Sequence, residues 1–497
     1  MKKAHHKDGN CAGPLSVYTR RRFLAAVGAS AGFVTLGARH GWGQAAAAVS
    51  PPEKEGAYVR VAFLYPPSDT FADDPDGWWS WPGNEFDAEA RQREYAAFLG
   101  GLETELGMRI AVEPDPLGTE QQAREFAEDL RANRPDGLLL VMFYNGSLKQ
   151  ADVVLSVAEE LRIPSVFYIG LGVKHGAVTQ YRRSGLYLIQ SLDNLDAIRA
   201  GMRMINARKL LRQCLVLSIA DEPVQMPVEP FLGVSVMQVP LDRYADAFGK
   251  VEMDAEARAF IAGLREKAME IRGVTEEAFE NAARAHFAIK NLLAEANADG
   301  VTMNCLRRGM LKPCISFATL NGALVPAACE NDLPALYTQM LGQLLTGRPG
   351  FQHNPCYETE RNHYYASHCT CTTKLYGPDG GDLPFLLRRF AHTNEGSCAI
   401  QAFWNPEDPV TMVRYYPGEE PALDVYAGKV VVSHQMPPAG GCTTNVEIEL
   451  TDRTDAGMVK GHHNLLFCGD LARQFRMFAQ LHRMRLADTG YTGPWPA

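Results

Sequence analysis

Residues 136–143 read DGLLLVMF, an apolar run with no polar residue between Leu138 and Phe143. A strand that is apolar at every position is covered on both faces, as in a parallel sheet sandwiched between helices. The neighbouring segments repeat this theme. Tyr58–Leu64 (YVRVAFL) is a β-branched and apolar run, and Ala88–Leu106 has a helical pattern. Arg109–Val112 is a short strand, Glu120–Ala132 a helix, residues 149–161 a helix and residues 164–169 a strand. This alternation predicts a Rossmann-like α/β domain over residues 58–183, with any ligand beyond the carboxyl ends of its strands.

A second α/β domain is expected over residues 184–346. It has a helix at 193–206, strands at 214–219 and 233–239, and long charged helices at 253–272 and 275–297. The strand Gly300–Met303 follows, and Cys329-Glu330-Asn331-Asp332 then opens a helix to about Leu345, with Gly347 as its stop signal. After Gly347 the texture changes. Short strand-like runs at 364–368, 398–404, 410–416, 429–435 and 446–450 are separated by Gly, Pro and Asn/Asp, and one helix follows at 471–485. Residues 347–497 are therefore expected to form a β-rich, barrel-like C-terminal domain. The fold class is α/β, two domains with parallel sheets and then the β-rich domain, and 497 residues suit about three domains.

Apolar residues make up 46% and charged residues 22%, which excludes a disordered or collagen-like chain. A net charge of −9 leaves no electrostatic footprint for nucleic acid. Residues 1–48 carry seven basic residues and one acid. Thr19-Arg20-Arg21-Arg22-Phe23-Leu24 matches a twin-arginine export motif, followed by a small-residue apolar run and Ala45-Ala46-Ala47-Ala48 as cleavage positions. That predicts a periplasmic protein, or a cytoplasmic one if the signal is not used. No other apolar run approaches 18 residues, so no membrane partner is expected for the mature form. Few or no disulfides are expected among the remaining cysteines.

Three segments concentrate metal- and proton-handling groups: Cys329-Glu330-Asn331-Asp332, His353-Asn354 through His368-Cys369, and His462-His463 ahead of Gly469-Asp470. Carboxylate with imidazole suits a divalent cation. On an extended segment His462 and His463 point to opposite faces, so one of them at most is expected at any site. Cys369-x-Cys371 has no second pair nearby in sequence and reads as two half-buried thiols. Trp78, Trp79 and Trp81 beside several acids read as a sugar-stacking lip or a subunit contact, or equally as packing under a long loop. Arg307-Arg308 reads as a solvated basic pair.

The A-C-E-N-D context of Glu330, a helix ending L-T-G-R-P, a strand carrying His368-Cys369, and the late G-H-H-N-L-L-F-C-G-D segment resemble the L-fucose/L-arabinose isomerase superfamily, chiefly over residues 301–486. The resemblance implies a metal-dependent sugar isomerase that interconverts aldoses and ketoses through an enediolate. It implies Mn²⁺ as the cofactor, a small-molecule sugar as the partner, and a homo-oligomer. It assigns Glu330 as a metal-binding carboxylate that also handles protons, His463 as a metal-binding histidine, and His368 as a further ligand. In the resembling proteins a second acidic residue follows the Arg-Pro pair, yet none occurs here between Asp332 and Glu358. His353 or Asn354 takes that place, His353 being the better ligand, with Glu358 and Glu360 as substitutes if the loop is rearranged. The expected centre is Glu330, His353 and His463 as metal ligands, Glu330 and His353 as catalytic groups, and His368 and Asn354 beside them. An imidazole in place of a carboxylate makes Zn²⁺ an alternative to Mn²⁺. Another metal-dependent carbohydrate reaction on the same scaffold, or a non-catalytic periplasmic sugar-binding protein, are the competing functions.

Overall fold

The computed structural model describes residues 54–72, 83, 85–170, 178–306, 311–390, 396–436 and 440–486. The export segment, the Trp78–Trp79–Trp81 cluster and Arg307-Arg308 lie outside the described residues. The protein is α/β, with two parallel sheets followed by a closed β-barrel.

In the first sheet, Tyr58–Leu64 is flanked by Arg109–Val112 and Gly137–Met142, and Ser165–Gly170 and Leu186–Ser191 extend the latter side, all parallel. Every residue of Gly137–Met142 is buried, as its unbroken apolar run requires. The helix Glu120–Ala132 begins with a reciprocal capping box between Thr119 and Gln122. The strand Leu186–Ser191 belongs to this sheet, so the first unit runs past the expected boundary at residue 183.

The second sheet is parallel in the order Ala327–Cys329, Gly300–Met303, Leu215–Ile219 and Ser235–Val239. Its edge strand, Ala327–Cys329, ends one residue before Glu330. The expected helix over 253–272 stops at Lys267, because Glu270–Arg272 turns to pair with Phe385–Arg389 in a small third sheet completed by Cys398–Ala402. This sheet ties the second unit to the C-terminal one.

The barrel closes through six antiparallel strands: Pro409–Tyr416, Asn464–Cys468, Gly350–Glu358, His363–His368, Thr444–Leu450 and Ala422–Ser433, the last pairing back to the first. Closure removes exposed strand edges. Phe351, Tyr364, Met412, Tyr426, Ile448 and Leu466 lie in one buried cluster of this region. The helix Leu333–Thr346 joins the second sheet to the barrel. Asp332 caps its start and Gly347, with φ 67°, ends it in the left-handed conformation that glycine adopts without Cβ strain. Gly342 on this helix lies so close to the Phe467 ring that a Cβ there would collide with it.

Candidate metal centre

The centre is assembled from the end of the parallel sheet and the strands of the barrel. Glu330 and Asn331, just past the strand Ala327–Cys329, both take left-handed backbone, with φ 61° and 54°. That conformation costs an L-residue roughly 1–2 kcal/mol, and it is held by surrounding hydrogen bonds. The Asn331 N–H donates to Met303 O at 3.0 Å, the Asp332 N–H to Cys329 O at 3.2 Å, and Ser218 Oγ to Asn331 Oδ1 at 2.8 Å. Gln352 clamps the same strand end: its Oε1 accepts from the Cys329 N–H at 2.7 Å and its Nε2 donates to Cys329 O at 3.3 Å.

The barrel brings two imidazoles to this loop. Asn464 pairs with His353 on one side of the strand Gly350–Glu358, and Ser367 pairs with Asn354 on the other. His463, just before Asn464, and His368, just after Ser367, therefore arrive at the same level. Glu330 lies between them, Oε1 at 3.5 Å from His368 Nε2 and Oε2 at 3.5 Å from His463 Nε2. The two rings are 5.4 Å apart and nearly perpendicular.

Behind His463 stands a carboxylate. His463 Nδ1 donates to Asp332 Oδ2 at 2.9 Å, and Arg414 Nη1 reaches the same oxygen at 3.3 Å while also donating to the His463 carbonyl. Asp332 Oδ1 caps the helix by accepting from the Ala335 N–H at 2.8 Å. A carboxylate that accepts from Nδ1 places the tautomeric proton there and leaves the Nε2 lone pair free, the arrangement of a metal-ligating histidine with its supporting carboxylate. His463 Nε2 is buried and has no hydrogen-bond partner, while a buried polar atom is ordinarily satisfied. The donor set therefore fits a divalent cation between His463 Nε2 and Glu330. Asp332 lies in a segment that the sequence singles out but receives no role of its own there, and Arg414, within the barrel strand Pro409–Tyr416, carries no sequence signal that marks it.

The electrostatics agree. The His368 imidazole, helped by His463, holds the Glu330 carboxyl below its ordinary range against the opposing effect of burial. Burial pushes Asp332 upward, but the His463 hydrogen bond, Arg414 and the Ala335 N–H together bring it below the usual value. Burial would depress His368, yet Cys329 and Glu330 raise it well above a free histidine. Both carboxylates are thus kept ionised.

His462 joins the group: one ligand atom each from Glu330, His462 and His463 lies within 4.8 Å of the others. This corrects the opposite-faces expectation. Gly461 has φ 96° and residues 462 and 463 form a bend before the strand begins, so the two rings come to 4.1 Å instead of diverging.

The structure does not bring His353 into the group, which corrects its expected place as ligand and acid. The ring is fully buried, and burial lowers its pKa to about 3, so it is neutral. Its Nδ1 donates to Phe351 O at 2.9 Å and its Nε2 accepts from Tyr364 Oη at 3.1 Å, leaving no lone pair for a cation. Alternation along the strand sets His353 on one face and Gln352 with Asn354 on the other. Asn354 is half-buried with Oδ1 unsatisfied. Glu358 and Glu360 are exposed, Glu358 being five residues, or about 16 Å, along the strand from His353.

No protein-family model matches this chain, and no curated protein does. Among solved structures it is similar to an ABC sugar transporter (periplasmic sugar binding protein) from Legionella pneumophila, with 13% identity, 58% of this chain and 94% of that one covered, and a TM-score of 0.16. A TM-score this low carries no argument about fold or function.

Proposed function

We propose that the protein is a metal-dependent sugar isomerase, acting in its exported form on a small aldose or ketose through an enediolate, with Mn²⁺ as the cation. The observation that carries this reading is the buried His463 Nε2, which makes no hydrogen bond and stands 3.5 Å from an ionised Glu330, with Asp332 fixing the ring from behind. A divalent cation held there supplies Lewis-acid stabilisation of a developing enediolate oxygen, an effect worth several kcal/mol. The chain's own residues do the rest. Glu330 is part-exposed, so its carboxylate is reachable by a substrate carbon and serves as the base that takes the C2 proton and returns it at C1. His368, beside Glu330 Oε1, keeps that carboxylate ionised until it takes the proton. His462 is exposed and stands at the entrance to the group, where it meets the sugar or the cation.

The test is hydrogen exchange at C2 when aldoses are incubated with Mn²⁺-loaded protein in deuterated water. Exchange that disappears in Glu330→Gln and His463→Ala supports the reading. Absence of exchange from any aldose, together with Mn²⁺ binding unaltered in both variants, refutes it. A second reading, a different metal-dependent carbohydrate reaction, is favoured by the single carboxylate in the group, since Asp332 is committed to His463 and Arg414. It predicts sugar turnover without C2 exchange.

A further inference from the structure

Directly behind Glu330 the fold gathers sulfur. Cys329 ends the edge strand of the second sheet, Cys369 follows the barrel strand His363–His368, and Cys314 opens the helix Cys314–Gly322. All three are buried free thiols. One ligand atom each from Cys329, His368 and Cys369 lies within 4.8 Å of the others. Cys369 Sγ is 3.7 Å from His368 Nδ1 and 3.6 Å from Cys314 Sγ.

Those separations have a geometric meaning. Tetrahedral zinc at about 2.3 Å from sulfur and about 2.0 Å from nitrogen sets neighbouring sulfurs about 3.8 Å apart and sulfur and nitrogen about 3.5 Å apart. The two measured edges lie within about 0.2 Å of these values. We propose that Cys329, Cys369 and His368 Nδ1, with Cys314 as the fourth donor, form a buried zinc site distinct from the Glu330–His463 centre.

Charge selects the ion. Two thiolates and a neutral imidazole balance a dication, whereas a monovalent soft ion such as Cu⁺ leaves a net negative charge in a buried place. Lys312, buried, donating to Cys305 O at 3.3 Å and standing 4.7 Å from the centre of the Phe390 ring that packs with Cys314 and Cys369, adds positive charge on that side. On binding, each coordinating thiol and the imidazole nitrogen give up their protons to solvent, and no oxidation state changes.

The site also assigns His368 a different task. With Nδ1 on zinc, the ring proton sits on Nε2, aimed at Glu330 Oε1. His368 is then a positioning residue that orients the carboxylate by donating to it, not a ligand of the second cation.

X-ray absorption of the full chain loaded with one equivalent of Zn²⁺ decides the matter. The expected spectrum has a sulfur shell near 2.3 Å. Zinc is expected to remain bound in Glu330→Gln and His463→Ala and to be lost, by at least tenfold in affinity, in Cys329→Ser and Cys369→Ser. Only nitrogen and oxygen neighbours around the zinc, or a Cys314–Cys369 disulfide in place of metal in the isolated protein, overturns the proposal. The wild-type spectrum decides even if a serine variant fails to fold. Neither outcome depends on C2 exchange, so the isomerase reading stands or falls separately.

Discussion

Asp332 offers the sharpest perturbation, because its two oxygens do separate jobs. Asp332→Asn keeps an oxygen to cap the helix at the Ala335 N–H, but it sets an amide N–H₂ against His463 Nδ1–H where the carboxylate oxygen stood. Two donors then face each other. The imidazole escapes by moving its proton to Nε2, the nitrogen that the cation needs. Loss of such a supporting carboxylate costs 10- to 100-fold in metal affinity, about 1.4 to 2.8 kcal/mol. The same change strips Arg414 of a buried partner at 3.3 Å, and breaking a buried pair costs about 3–5 kcal/mol of stability. Asp332→Ala also removes the cap, worth about 1 kcal/mol more. Mn²⁺ titration by calorimetry and urea unfolding of metal-free protein measure the two terms apart. Mn²⁺ affinity in Asp332→Asn within threefold of wild type would show that His463 is not held for metal by this carboxylate, and the reasoning would fail.

Three further outcomes follow from the packing. His286, His353 and His482 are buried and neutral, each brought by burial to a pKa of about 3, against about 6.5 in the unfolded chain. Between those values the unfolded state binds a proton that the folded state refuses, so stability rises with pH by at most about 1.4 kcal/mol per unit for each ring. Urea midpoints are expected to fall steeply from pH 6 to pH 5, and a flat profile there contradicts neutral burial. Gly342→Ala, which in an open helix gains about 1 kcal/mol, is expected to lose about 1–3 kcal/mol by overpacking against Phe467; equal or higher stability in urea would show that the helix shifts freely. Glu330→Gly and Glu330→Ala both abolish Mn²⁺ binding, but only glycine relaxes the left-handed backbone at φ 61°, so the glycine variant is expected to be about 1 kcal/mol the more stable in urea. Equal stability would mean that the loop carries no strain there.

Much of the fold was legible because it rests on local rules. Ala88–Leu106, Arg109–Val112, Glu120–Ala132 and Gly300–Met303 take the bounds their patterns predict. The strand Gly350–Glu358 was not legible: its residues Gln352, His353, Asn354 and Pro355 show no β-branched alternation, and pairing on both sides makes it a strand. The site was legible only in part for the same reason. The resemblance pointed to Glu330, His368 and His463, and the structure gathers all three, but it also pointed to His353, which is one residue out of phase. A period of two sends His353 to Tyr364 and its neighbour Gln352 to Cys329, and no pattern in a single strand tells which phase faces the centre. The cysteines show the limit most plainly. Cys314, Cys329 and Cys369 have no motif spacing, since their closeness is set by a helix start, a sheet edge and a barrel strand meeting. Asp332 lies between these extremes. The sequence places it in the segment that opens a helix, and its first oxygen caps that helix, but the second oxygen's bond to His463 spans 131 residues and exists only because the barrel closes. The cap and the metal support are therefore one device: the hydrogen bond that starts the helix also fixes the carboxylate that orients the imidazole, so the centre inherits its rigidity from the element joining sheet to barrel.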